Sequence, residues 1–220
     1  MTDILKQIAS CIEQGKTDAK SPFPPQLKGE VGADELTKKA LDEGVKASDI
    51  LEQALFPAMA AVGARFRENR IFVPQVLMSA KAMNMALAHL KPYFSSGDLK
   101  KKGTVIIGTV AGDLHDIGKN LVCMMIEGAG WDLIDLGVDV KTDKFVETLS
   151  KYSNAILALS ALLTTTMAAM EQTVKTIKAI NPSQKIMIGG APVSREFCDQ
   201  IGADFYSADP QGAVEYLSGL

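Results

Sequence analysis

Five short apolar stretches, each followed by a helical pattern, constrain this chain more than any other feature. They are TVIIGTV (104–110), WDLIDLG (131–137), AILALS (155–160), KIMIGG (185–190) and ADFYS (203–207). The spacing predicts helices between and after them at Gly118–Glu127, Thr142–Tyr152, Met167–Ile180, Ser194–Ile201 and Gln211–Leu217. Alternation of strand and helix argues for a parallel sheet covered on both faces. Five such units within about 115 residues fit a flavodoxin-like, doubly wound, five-stranded parallel sheet of the α/β class. In such sheets ligands sit outside the carboxyl ends of the strands, so the loops after strands 1, 3, 4 and 5 become the place to look for a site.

The first half has a different period. Up to about Phe94 the pattern is helical, with four expected helices at Asp3–Gln14, Ala33–Glu43, Ala47–Arg67 and Pro74–Tyr93, which suggests a small four-helix bundle. Asp34 and Ser48 stand where N-caps belong, and Gly15 and Gly44 where helices stop. The stretch KSPFPPQLKGEVG (20–32) is a loop whose three prolines exclude a helix. The polar stretch SSGDLKKKG (95–103) is the natural boundary, giving a helical domain over 1–97 and an α/β domain over 98–220.

Composition removes several function classes. At 220 residues and 47% hydrophobic, the chain can bury a sizeable core. A formal charge of -3 without a Lys/Arg run gives no footprint for nucleic acid. The N-terminus reads as an amphipathic helix rather than a signal peptide, and no stretch approaches the ~18 apolar residues of a membrane span. Cys11, Cys123 and Cys198 are far apart and odd in number, which argues against a disulfide framework or a zinc site. Three reduced cysteines in a cytoplasmic protein are the expectation.

The four loops differ in what they offer. The first, AGDLHDIGKN (111–120), sets one of the chain's two histidines between two aspartates in a glycine-flanked turn. That pattern suits ordinary capping at a helix start, and it suits a histidine held ready for a metal. The third strand runs into the hydroxyl-rich SALLTTT (160–166), the fourth into GGAP (189–192) and the fifth into SADP (207–210). Small residues and hydroxyls there suit close approach by a bulky polar ligand.

Three motif segments then stand at fitting separations. Asp113-x-His115-x-x-Gly118 is followed after residues 119–159 by Ser160-x-Leu162, and after residues 163–188 by Gly189-Gly190. This pattern resembles the signature of cobalamin-binding domains that hold the corrinoid base-off and histidine-on. The stretch AVGARFRENRIFVPQVLMSAKAM (61–83) is similar to the four-helix cap that precedes the cobalamin domain in methionine synthase and in small corrinoid proteins of methyltransferase systems. The resemblance covers nearly the whole chain; the stretch around 20–32 is longer than the family pattern.

The resemblance implies a set of roles. His115 becomes the axial ligand of cobalt, with Asp113 as the carboxylate behind it and Thr166 as the hydroxyl completing a relay. Gly112, Asp113, Leu114, His115, Asp116 and Gly118 meet the lower corrin face. Ser160, Leu162, Thr164, Gly189, Gly190 and Ala208 line a slot for the displaced nucleotide tail. Phe66, Val73, Val76 and Glu52 belong to the cap over the upper face. Apolar residues at the spacing of Phe66, Val73 and Val76 are also ordinary bundle core, and Glu52 also suits a solvated helix face. His89 reads as a helix-end residue. The implied cofactor is cobalamin or a related corrinoid, cycling between cob(I)alamin and methylcobalamin. The implied function is a methyl-carrying subunit without catalysis of its own. Its partners are a substrate-specific methyltransferase, a second methyltransferase using tetrahydrofolate or coenzyme M, and a reductive activator, with no nucleic acid and no membrane. A small subunit of an adenosylcobalamin mutase is the competing reading, and the cap argues against it. A cobalamin-dependent regulator would require a further DNA-binding or signalling domain, for which no residues are spare.

Overall fold

The structure is a computed structural model and describes residues 2–220. The chain divides into two compact units. One runs to Lys101 and takes in Gly128–Gly130; the other comprises Lys102–Glu127 and Trp131–Leu220. The break falls at Lys101 rather than at residue 97 because the linker folds back. Past Gly97, at φ +85°, the Leu99 N–H donates to the Tyr93 carbonyl at 3.0 Å, and Leu99 is buried.

The helical unit contains α1 (Asp3–Gln14), α2 (Ala33–Asp42), α3 (Ala47–Ile50), α4 (Phe56–Arg67) and α5 (Val73–Ser95). A π-helical turn over Leu51–Leu55 joins α3 to α4 without a break. Pro57 accounts for it: proline has no N–H to return to the preceding turn and its ring crowds that turn, which a wider winding relieves. Ile8, Ile12, Ile50, Leu55, Met59, Met83 and Leu90 are fully buried in the core.

Two expected caps are placed differently. Gly32, not Asp34, precedes α2; Asp34 lies in the first turn and accepts a 2.7 Å bond from His89 Nε2, which ties α2 to α5. Lys46, not Ser48, precedes α3. The connection from α1 to α2 has a structural role that its composition did not announce. The Ala33 and Asp34 N–H groups donate to the carbonyls of Lys16 and Thr17 at 3.1 and 2.9 Å. Glu35 in turn accepts from the N–H groups of Ala19 and Gly32, each at 2.9 Å. The connection therefore closes over the start of α2, whose first donors would otherwise lack partners. One 3-10 turn, Pro25–Leu27, forms where no helix was expected.

The second unit holds β1 (Thr104–Thr109), α6 (Ile117–Gly128), β2 (Asp132–Asp135), α7 (Thr142–Lys151), β3 (Ile156–Ser160), α8 (Met167–Ile180), β4 (Ile186–Gly189), α9 (Arg195–Ile201), β5 (Phe205–Ser207) and α10 (Pro210–Ser218). The sheet is wholly parallel, in the order β2-β1-β3-β4-β5, as the alternating pattern implies. Ile106, Leu157, Leu159, Ile186 and Ile188 from the strands pack with Phe145, Val174 and Ile177 from the helices. Ser194 and Asp209 cap α9 and α10, accepting from the N–H groups of Phe197 and Gly212 at 3.2 and 2.9 Å.

Candidate functional site

Register brings the loops together. Thr109 pairs with Ser160, Ser160 with Gly189, and Gly189 with Ser207. The last residues of β1, β3, β4 and β5 thus form one row across the carboxyl edge of the sheet, and all four are small. The strand order reverses between β1 and β3, the switch point at which such sheets bind ligands. The loops carrying His115 and Leu162 flank that point.

Asp113 joins the two loops. Its side chain is 0% exposed, and both carboxylate oxygens are saturated. Oδ2 accepts from the Leu162 N–H at 2.7 Å, the Leu163 N–H at 3.3 Å and the Thr166 hydroxyl at 2.7 Å. Oδ1 accepts from the His115 N–H at 3.1 Å and from His115 Nδ1 at 2.8 Å. Burial by itself would raise the pKa of Asp113. The Leu162 N–H, the Thr166 hydroxyl and His115 outweigh it and hold the carboxyl well below the usual range. The group is therefore an acceptor only, so the ring nitrogen facing it must carry the proton. In the neutral imidazole this leaves the lone pair on Nε2, on a side chain 49% exposed. Thr166 also stands 2.9 Å from the Leu163 carbonyl, so its single hydroxyl proton serves two acceptors; the charge-assisted bond to Asp113 is the stronger.

The surroundings of the ring are unusual for a water-facing loop. Leu114 and Ile117 are 71% and 73% exposed, and Leu162 and Leu163 on the neighbouring loop are also exposed. Apolar side chains in that position suit a broad, largely apolar partner. Among the described residues no group of three or more His, Cys, Asp or Glu side chains is placed to hold a metal ion. One imidazole with an apolar surround fits a metal that brings its other ligands with it, as a corrinoid does, and does not fit a bare ion.

The remaining expected residues fall as follows. Gly112 (φ +82°), Leu114, Asp116 and Gly118 lie with His115 on the loop after β1 or in the first turn of α6. Ser160 ends β3, Leu162 and Thr164 follow it, Gly189 ends β4, Gly190 follows it, and Ala208 follows β5. Gly190 is required by the chain itself. At φ +129°, a Cβ there would stand 1.8 Å from the Ala161 carbonyl oxygen. Glu52, Phe66, Val73 and Val76 belong to the helical unit, with Glu52 exposed, Phe66 and Val73 half-buried and Val76 fully buried. Sequence reasoning missed Thr109, whose buried hydroxyl donates to the His115 carbonyl at 2.9 Å. It also missed Asp139, which accepts from the Gly112 N–H at 2.7 Å. Thr109 directly precedes the loop and was findable as a strand end; Asp139 lies in another loop and carried no local signal. Cys11, Cys123 and Cys198 are buried and free. No helix among the described residues is long and apolar enough to cross a membrane.

Comparison with known proteins finds related chains. Residues 103–215 match the family model described as a B12 binding domain, and residues 29–91 match a second model of that description. A corrinoid protein of Desulfitobacterium hafniense (strain Y51) is 39% identical over 191 residues, covering 84% of this chain and 88% of its own. Trimethylamine corrinoid protein 1 of Methanosarcina acetivorans is 38% identical over 207 residues, covering 92% and 94%. Among solved structures, the methanol:cobalamin methyltransferase complex MtaBC from Methanosarcina barkeri contains a chain that matches with a TM-score of 0.80 and 28% identity, covering 99% of this chain and 81% of that one.

Proposed function

The chain belongs to the B12-binding family of corrinoid proteins and binds cobalamin or a related corrinoid, and from that premise we propose that it is the methyl-carrying subunit of a cobalamin-dependent methyltransferase system. One observation carries the reading. A buried, saturated Asp113 stands 2.8 Å from Nδ1 of His115, so the neutral form of this half-exposed ring presents its lone pair on Nε2. A corrinoid bound there supplies a cobalt centre able to accept and release a methyl group.

The chain's own residues do the rest. His115 would be the chain's own ligand to the cobalt, offering Nε2. Asp113 fixes the ring and tunes its basicity, and Thr166 holds Asp113. Leu114, Ile117 and Leu162 exclude water from the face they cover. The row of small residues, Ser160, Gly189 and Ser207, leaves space at the sheet edge for the displaced nucleotide tail. Phe66, Val73, Val76 and Glu52 retain the cap assignment only through the family resemblance. A donor-specific methyltransferase delivers the methyl group, a second methyltransferase passes it to tetrahydrofolate or coenzyme M, and a reductive activator restores the reduced state. The methyltransferase complex named in MtaBC supports the first of these partners.

The experiment is reconstitution. The corrinoid-loaded protein alone is expected to leave trimethylamine, dimethylamine and methanol unchanged. With a donor-specific methyltransferase and its substrate, the visible spectrum of the reduced corrinoid shifts. Sustained demethylation by the isolated chain overturns the carrier reading.

A further inference from the structure

The end of β2 and the connection from it to α7 touch the histidine loop at both ends. At the near end, Asp139 accepts the Gly112 N–H at 2.7 Å while its own N–H donates to the Asp113 carbonyl at 2.9 Å. The flanking backbone reinforces this: the Thr109 N–H donates to Gly137, and the Val140 N–H donates to Thr109. Asp139 sits at φ +53°, in the left-handed region where glycine is the easiest residue. A backbone needing only that conformation would be served by glycine. What aspartate adds is a carboxylate, and that carboxylate is on Gly112.

At the far end, the Lys119 ammonium is buried in the first turn of α6, where the helix dipole and the loss of water both disfavour a cation. It donates to Asp135 at 2.5 Å and to Asn120 Oδ1 at 2.7 Å. Asn120 donates from Nδ2 to the carboxylate of Asp116, the residue after His115, at 3.1 Å. Asp135, the last residue of β2, also accepts from the Gly137 N–H at 2.9 Å, so the end of β2 and the connection after it anchor both ends of the loop.

We propose that the end of β2 and the connection from it to α7 form a clasp for the cobalt ligand. Asp139 holds the segment before His115, and Asp135, through Lys119 and Asn120, holds the segment after it. Asp139, Asp135 and Lys119 are thus positioning residues that keep the loop in its ligating shape before the corrinoid arrives. The proposal rests on His115 being the axial ligand.

The test uses the full chain with Asp139→Gly, Asp139→Asn and Lys119→Met. Two readouts are taken: nitrogen coupling from isotopically labelled histidine in the electron paramagnetic resonance of bound cob(II)alamin, and hydrogen exchange of the Gly112–Asp116 segment without corrinoid. Asp139→Gly relaxes the left-handed backbone while removing the bond to Gly112, opposing effects that should leave its melting temperature near that of the wild type. It should nonetheless lose histidine coupling in most molecules, weaken cobalamin binding about tenfold, and exchange faster at the segment. Asp139→Asn keeps an acceptor oxygen and should restore all three. Full coupling and unchanged exchange in Asp139→Gly overturn the clasp, as does an Asp139→Asn variant that behaves like the glycine one. Lys119→Met should loosen the segment likewise, and unchanged exchange there overturns the far half. If the wild type itself lacks histidine coupling, the ligand reading fails, and the exchange data alone decide the clasp.

Discussion

Every hydrogen-bond donor around Asp113 constrains what can replace it. Asparagine must set an NH2 group against donors on one side. The Oδ2 side carries two backbone N–H groups and the Oδ1 side carries one, together with a ring that can change tautomer. The NH2 should therefore face His115, turn Nδ1 into an acceptor and place the proton on Nε2. Asp113→Asn is thus expected to remove the ligating lone pair, weakening cobalt ligation about 10–100-fold while the histidine remains. His115→Ala should lose the ligation outright yet keep measurable corrinoid affinity, because the nucleotide-tail residues are untouched. Electron paramagnetic resonance of bound cob(II)alamin checks both variants. Strong histidine coupling in Asp113→Asn would show that the tautomer is not set by this carboxylate.

At the scale of elements, Asp204 ties β4, β5 and α8 together. It accepts from Lys178 Nζ and from the Ile186 N–H, each at 2.8 Å, and its own N–H donates to the Ile186 carbonyl at 2.8 Å. Burial would raise its pKa, but the bonds from Lys178 and Ile186 prevail and lower it. A carboxylate with a depressed folded pKa contributes stability that is present above its unfolded value, about 3.9, and is lost as pH falls through the folded one. Asp204→Asn should therefore cost about 1–3 kcal/mol at pH 7. The gap from wild type should close as pH falls below about 4. Denaturant unfolding at pH 7 and at pH 3 measures it; a gap that stays constant would assign the role to packing.

For the whole molecule, every residue assigned to the His115 site and the tail slot lies in the second unit. A chain beginning at Lys102 is expected to fold as an α/β domain and to bind hydroxocobalamin within about tenfold of the full chain, a difference of at most about 1.4 kcal/mol. Circular dichroism and titration of the visible spectrum check the two parts. A folded fragment that binds far more weakly would make the helical unit a contributor to affinity.

The sequence by itself determined the class of both units. Apolar periodicity is local, and so is the punctuation by Gly15, Gly44 and the 95–103 stretch; it therefore survives in one dimension. Asp113, His115 and Thr166 were legible through motif spacing and family resemblance, and the structure sets His115 and Thr166 on the two carboxylate oxygens of Asp113. Boundaries and caps were less legible, because Gly32 and Lys46 became the caps only once the 16–19 backbone and the turn after Gly44 had taken their places. Gly190 was visible as a glycine, but its need came from the Ala161 carbonyl, which only strand pairing brings to it. The bonds of Lys119 to Asp135 and of Asp139 to Gly112 were decided by tertiary structure alone. Each depends on a partner supplied by another turn or strand, and the register of the parallel sheet, not the local sequence, fixes who that partner is.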